Sequence, residues 1–109
     1  TTRIPENLTD LYFEDHLNLP KTVPESDPIP YAFTIHNLEY KRVEYTYVIY
    51  AKNEAGSIIL TKDQITIDHD KYETIKVSVP PSENFRTRIV VQLTGESTHE
   101  IAFWLEARK

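Results

Sequence analysis

Apolar and polar residues alternate twice between Tyr31 and Lys52, on either side of a short polar break: Y-A-F-T-I-H-N, then V-E-Y-T-Y-V-I-Y-A-K. A period of two sends successive side chains to opposite faces, the mark of half-exposed antiparallel strands. Tyr31, Phe33 and Ile35 share one face, opposite Ala32, Thr34 and His36. Tyr45, Tyr47 and Ile49 share another, opposite Glu44, Thr46, Val48 and Tyr50. The same alternation predicts strands at Leu8–Phe13, Thr74–Val79 and Phe85–Thr94. Ser57–Thr61 and Gln64–Asp68 read as two short strands, or as one broken by a bulge near Lys62-Asp63. Asn53-Glu54-Ala55-Gly56 predicts a hairpin turn, and Asp68-His69-Asp70-Lys71 a polar one.

The last run, His99–Arg108, fits two periods. Ser97-Thr98-His99-Glu100 has the spacing of a helix capping box, with Ile101, Trp104, Leu105 and Arg108 at helical intervals after it. As a strand it turns Ile101, Phe103 and Leu105 inward instead. The strand reading is preferred, because a Greek-key sandwich needs a closing strand beside Phe85–Thr94. Strands of this length, separated by turn signals, predict an all-β fold: an immunoglobulin-like or fibronectin-like antiparallel β-sandwich of seven to eight strands. Residues 1–109 suffice for one such domain, with residues 1–7 as a lead-in.

Composition narrows what this sandwich does. Cysteine is absent, which excludes structural disulfides, thiolate metal sites and cysteine nucleophiles. Methionine is absent too and the chain opens on Thr1, as expected of a segment excised from a longer protein or of a processed chain. The net charge is −5, concentrated in residues 1–30, where Glu6, Asp10, Glu14, Asp15, Glu25 and Asp27 face only Arg3 and Lys21. No cluster of cations suits a nucleic-acid backbone or an anionic membrane, so neither is an expected partner. Two glycines, Gly56 and Gly95, fall between strand-like runs, where tight turns favour positive φ. Pro24, Pro28 and Pro30 make Lys21–Pro30 a loop.

No motif carries a reaction. Asp68-His69-Asp70 gathers three donors, but neighbours on an extended chain point apart, and a solvated turn is the simpler reading. His16, His36 and His99 are scattered and predict no zinc site. There is no nucleophile elbow and no glycine-rich phosphate loop. The chain is therefore expected to be neither an enzyme nor a holder of metal or cofactor. Asn7-Leu8-Thr9 is the single N-x-T acceptor, a weak glycosylation candidate at Asn7 that an accidental match explains equally well.

Four segments carry a resemblance: L-T-D-L-Y-F (Leu8–Phe13), L-P-K-T-V (Leu19–Val23), F-T-I-H-N-L-E-Y (Phe33–Tyr40) and E-Y-T-Y-V-I-Y (Glu44–Tyr50). Together they resemble the extracytoplasmic domain of an uncharacterised family of archaeal and bacterial predicted membrane proteins. In that family a bundle of transmembrane helices precedes an immunoglobulin-like sandwich. The resemblance implies an extracytoplasmic location, tethered to the membrane by segments outside this chain. It supplies no catalytic residue.

The candidate site comes from the fold. Side by side, the strands Val43–Lys52, Phe85–Thr94 and His99–Arg108 would turn Val48, Tyr50, Arg86, Arg88, Val90 and Trp104 outward, an aromatic and apolar patch rimmed by arginine. Trp, Tyr and Arg anchor interfaces more than other side chains. The expected function is a binding or spacer module that docks a protein or a neighbouring domain through this face, and a weak homo-oligomer fits the same patch. A carbohydrate-binding module using surface tyrosines and Trp104 is the alternative.

Overall fold

The computed structural model describes residues 8–109. It contains β1 (Thr9–Phe13), a single 3₁₀ turn (His16–Asn18), β2 (Ile29–Asn37), β3 (Val43–Asn53), β4 (Gly56–Ile67), β5 (Tyr72–Val79), β6 (Thr87–Thr94) and β7 (Thr98–Leu105). All strand pairs are antiparallel, in two sheets ordered β1-β2-β5 and β4-β3-β6-β7. The expected sandwich is present, with seven strands. Its fourth strand pairs with β3 rather than with β5, unlike an antibody constant domain.

The alternation of the sequence becomes the inner faces of the two sheets. Phe33, Ile35, Tyr45, Ile49, Val91, Leu93 and Leu105 are all but completely buried between them. Phe33 meets Tyr47 edge-on at 5.6 Å, linking the sheets. On the β1/β7 side, Phe13, Tyr31 and Phe103 close the core with edge contacts, each of Phe13 and Tyr31 at 5.2 Å from Phe103. The final run is strand, not helix: Leu105 is buried and Trp104 exposed. A helix would leave Phe103 without this aromatic cluster.

Some boundaries differ from expectation. β4 is one continuous strand, and its irregularity falls at Leu60, where the β3 register shifts between Ile49 and Tyr50, rather than at Lys62-Asp63. Phe85 lies outside β6 and is exposed. The proline-bearing loop is pinned rather than free. Thr22 forms a parallel bridge with Glu106, Val23 N–H donates to the Glu106 carbonyl at 3.0 Å, and the Val23 side chain enters the core. Arg108 Nη1 then donates to the carbonyls of Pro24 (3.0 Å) and Ser82 (3.2 Å).

The two glycines serve different needs. Gly56 takes φ 133°, a backbone conformation that strains any residue with a side chain. Gly95 is required for space, not for φ: a Cβ there would lie 2.8 Å from the ring of the buried Tyr45.

Both crossings between the sheets at one end are organised by Asn37, which is wholly buried. Its Nδ2 donates to the carbonyls of Ile67 (2.7 Å) and Lys41 (2.8 Å), and its Oδ1 accepts from Glu39 N–H at 2.8 Å. Its backbone accepts from Asp70 N–H and donates to the Lys71 carbonyl. Beside it, Thr9 Oγ1 donates to Glu39 (2.6 Å), which leaves it to accept from Tyr45 OH at 2.8 Å and so ties β1 to β3.

Burial raises the phenols of Tyr31, Tyr45 and Tyr47 above their ordinary 10.0, furthest for Tyr31; nearby carboxylates add to the rise at Tyr45 and Tyr47. Two outcomes follow. Asn37→Ala orphans the buried Ile67 carbonyl and removes the partner of the part-buried Lys41 carbonyl and Glu39 amide, and urea unfolding should show a loss of about 3 kcal/mol; a loss under about 1 kcal/mol would show that water replaces the side chain. Phenols that ionise later in the folded state add stability that is complete below pH 10 and decays as the pH rises above it. Ultraviolet titration should find these three phenols ionising at a higher pH in the folded domain than in the urea-unfolded chain, and equal midpoints in the two states would refute this.

Candidate functional site

The β4-β3-β6-β7 sheet brings the sequence-derived candidates onto its outer face. Cross-strand register sets them in rows. Ile59, Tyr50, Val90 and Ala102 stand opposite one another, and in the next row Lys52 faces Arg88, which faces Trp104. Val48 occupies the row on the other side, opposite Gln92 and Lys62. Arg86 lies just before β6, beyond the end of the tryptophan row.

Trp104 is 47% exposed while its neighbour Leu105 is 1% exposed, the direct result of strand alternation on a half-solvated sheet. Its ring is not bare. The Arg86 guanidinium sits 3.9 Å above the ring centroid, and Arg88 lies 6.0 Å from it. Arg86 is held in turn by Glu106, Nε to Oε2 at 3.1 Å. The Glu106 backbone is bonded to Lys21 and Val23, so the cation that covers the tryptophan is anchored to a fixed strand end. The exposed ion pair adds little to stability; its effect is to orient Arg86.

One candidate is corrected. Val90 was expected on the exposed patch, and it does point outward, but only 1% of it is accessible. It lies on a central strand, flanked in its row by Tyr50 and Ala102 and along β6 by Arg88 and Gln92. Neighbours at cross-strand distances of about 5 Å cover a residue of its size. Val90 supports the patch from below and offers no contact surface. Val48, Tyr50 and Arg88 are half-buried, and Arg86 is exposed.

The structure adds residues that the sequence reading missed. Lys52, Asn53 and Glu54, at the end of β3 and in its turn, join Arg86, Arg88 and Trp104 around a shallow depression of about 280 Å³. The signal for Lys52 was its place in the outward alternation after Val48 and Tyr50. Its neighbours in space depended on register. A second, more apolar notch of about 200 Å³ opens between the β3–β4 hairpin and Pro80-Pro81, with Ile58, Leu60 and Val79 in its wall.

Other candidate chemistry disperses. Tyr45 and Tyr47 are core. The exposed tyrosines lie away from Trp104: Tyr12 on β1, Tyr72 stacked on His36 at 3.7 Å, and Tyr40 stacked on His69 at 4.8 Å. Within the Asp68-His69-Asp70 turn, Asp68 pairs with Arg42, Asp70 with His36, and His69 Nδ1 accepts from Tyr40 N–H. These links give each donor of the turn a structural partner. Among the described residues no group of three or more His, Cys, Asp or Glu side chains could hold a metal ion. The glycosylation candidate Asn7 lies outside the described residues.

No protein-family model and no curated protein sequence matches the chain. Solved structures do. The fold is similar to the ASH/PapD-like domain of human CEP192 (PapD-like domain 7), with a TM-score of 0.58 and 14% identity over 99% of this chain and 92% of that one. It is also similar to part of the alkylpurine DNA glycosylase AlkC of Pseudomonas fluorescens, solved bound to DNA containing an abasic site analog. That match has a TM-score of 0.58 and 10% identity over 92% of this chain but 31% of the glycosylase chain. At these identities the likeness establishes the PapD-like, immunoglobulin-like sandwich alone. It gives no support to a membrane-protein family or to an archaeal or bacterial origin.

Alternation places Trp104 outside the core, and stability measurements check this. Trp104→Ala should cost about 1 kcal/mol in chemical denaturation, against about 3 kcal/mol for Leu105→Ala. Comparable losses would mean that the indole is part of the packed interior.

Proposed function

We propose that this domain is a non-catalytic interaction module that docks a protein, or a neighbouring domain of the same polypeptide, through the outer face of the four-stranded sheet around Trp104. The observation that carries the reading is a large aromatic ring left half-exposed on a regular strand and held under an anchored arginine. Trp and Arg are the side chains most often found at interface hot spots. A side chain ordered before binding loses less freedom on association, so the Glu106–Arg86–Trp104 arrangement lowers the cost of docking. The half-buried Tyr50 and exposed Ile59 extend the surface inward from the tryptophan row.

The carbohydrate reading draws less support. A sugar ring would need the indole face that Arg86 occupies, and the exposed tyrosines sit on other parts of the domain. An extracytoplasmic location, with a membrane tether supplied by other segments, remains part of this proposal and rests on the resemblance of Leu8–Tyr50. No helix among the described residues is long and apolar enough to cross a membrane.

Site-specific crosslinking tests the docking face. A photo-crosslinking amino acid placed at Trp104 should capture a discrete protein or domain in the native cell, and one placed at Tyr12 on the opposite sheet should not. Capture from Tyr12 with none from Trp104 would move the interface to the other sheet and end this reading.

A further inference from the structure

We infer that the docking face recognises an acidic, extended peptide segment, read as an acidic residue followed two positions later by an apolar one. The inference rests on the reading of this face as an interface and names its partner's chemistry.

The starting point is a like-charged pair. Lys52 and Arg88 stand directly opposite each other on adjacent strands, in the same row as Trp104. Like charges directly opposite in a sheet repel and destabilise it. Neither is ion-paired among the described residues: the ion pairs formed by other lysines and arginines are Lys41–Glu96, Arg42–Asp68 and Arg86–Glu106. Arg88 is, moreover, half-buried, so its charge is incompletely hydrated. With Arg86, three cations border the depression beside Trp104, and Glu54 is the single acid in its lining. On a chain of net charge −5 this is a local reversal of sign. An anion seated between Lys52 and Arg88 would relieve their repulsion and gain charge-assisted hydrogen bonds from both.

The adjoining row supplies the second requirement. Ile59, Tyr50 and Ala102 run parallel to the cationic row, one strand repeat away. On an extended peptide, residues i and i+2 point the same way and lie roughly 7 Å apart, the spacing between two such rows. A peptide laid along the strands therefore sets a carboxylate over Lys52 and Arg88 and its i+2 side chain over Tyr50. Three cations with Glu54 in the same lining and Glu106 on Arg86 suit one or two carboxylates better than the long phosphate track of a nucleic acid.

The test titrates the intact domain with an acetylated, amidated peptide of two Glu-Ser-Leu triplets, followed by amide and indole NMR shifts. Shifts should localise to Lys52, Arg88, Tyr50 and the Trp104 indole. Affinity should fall about tenfold for the Gln-Ser-Leu peptide and for Lys52→Glu, and weaken with added salt. Lys52→Glu replaces repulsion with attraction, so its urea midpoint should equal or exceed that of the parent domain, which separates lost binding from lost folding. Equal binding of the Glu and Gln peptides would overturn the inference. So would tighter binding of oligothymidylate, or salt-sensitive self-association without peptide binding. If the Trp104 crosslinker captures a protein while the acidic peptide fails to bind, the docking reading stands and this assignment of partner chemistry falls.

Discussion

One buried amide holds the two sheets in their relation. Asn37 closes β2, and from that single position it satisfies the turn into β3, the end of β4 and the turn into β5. Both of those turns carry the chain from one sheet to the other, where regular ladder bonding stops and backbone groups would otherwise be buried without partners. A side chain with two donors and one acceptor, short enough to stay beside its own backbone, meets that need; Asp would lack the donors and Gln would reach too far. With the crossings fixed at this end, the strands leave it in set register, and every later juxtaposition on the outer faces depends on that register.

The proposed docking face is one such consequence. Lys52, Arg88 and Trp104 lie on three strands with long stretches of chain between them, and they meet because β3, β6 and β7 are neighbours in this register. A slip of one residue would turn Trp104 into the core and Leu105 into water. The proposed function and the stability therefore draw on the same constraint but use opposite faces of the sheet. The inner face spends its residues on packing, which leaves the outer face free to carry an unneutralised cationic pair and a half-exposed indole. The CEP192 domain has a similar fold at 14% identity. The outer face is where such domains can differ without cost to the fold.

Position within a sheet explains where the sequence misled. Thr34, His36 and Val90 all point away from the core, as alternation says, yet all are buried. Each lies on a central strand, β2 or β6, with strands on both sides and a large tyrosine as one cross-strand neighbour: Tyr12 beside Thr34, Tyr72 stacked on His36, and Tyr50 beside Val90. Alternation reports which way a side chain points but not what stands next to it. On the edge strands the outward Ile59 of β4 and Tyr72 of β5 are well exposed, and so is Ile58 on the opposite face, because no strand lies beyond the edge to cover it. The role of Asn37 was hidden for a related reason. An Asn at a strand end reads as a local turn residue, and its N-x-E spacing to Glu39 does mark such a turn. Its bond to Ile67, far along the chain, is not a local property.

The sequence by itself determined the class of fold, the inward and outward sets on β2, β3, β5, β6 and β7, the hairpin at Gly56 and the exposure of Trp104, because all of these follow from a period of two and from local backbone chemistry. Tertiary structure decided which strands are central, where the bulge in β4 falls, that Gly95 serves Tyr45, that Arg86 covers Trp104, and that Lys52 confronts Arg88. Those are contacts between residues distant in the chain. They are set by register and by the crossing of the sheets, quantities that no local pattern of side chains encodes.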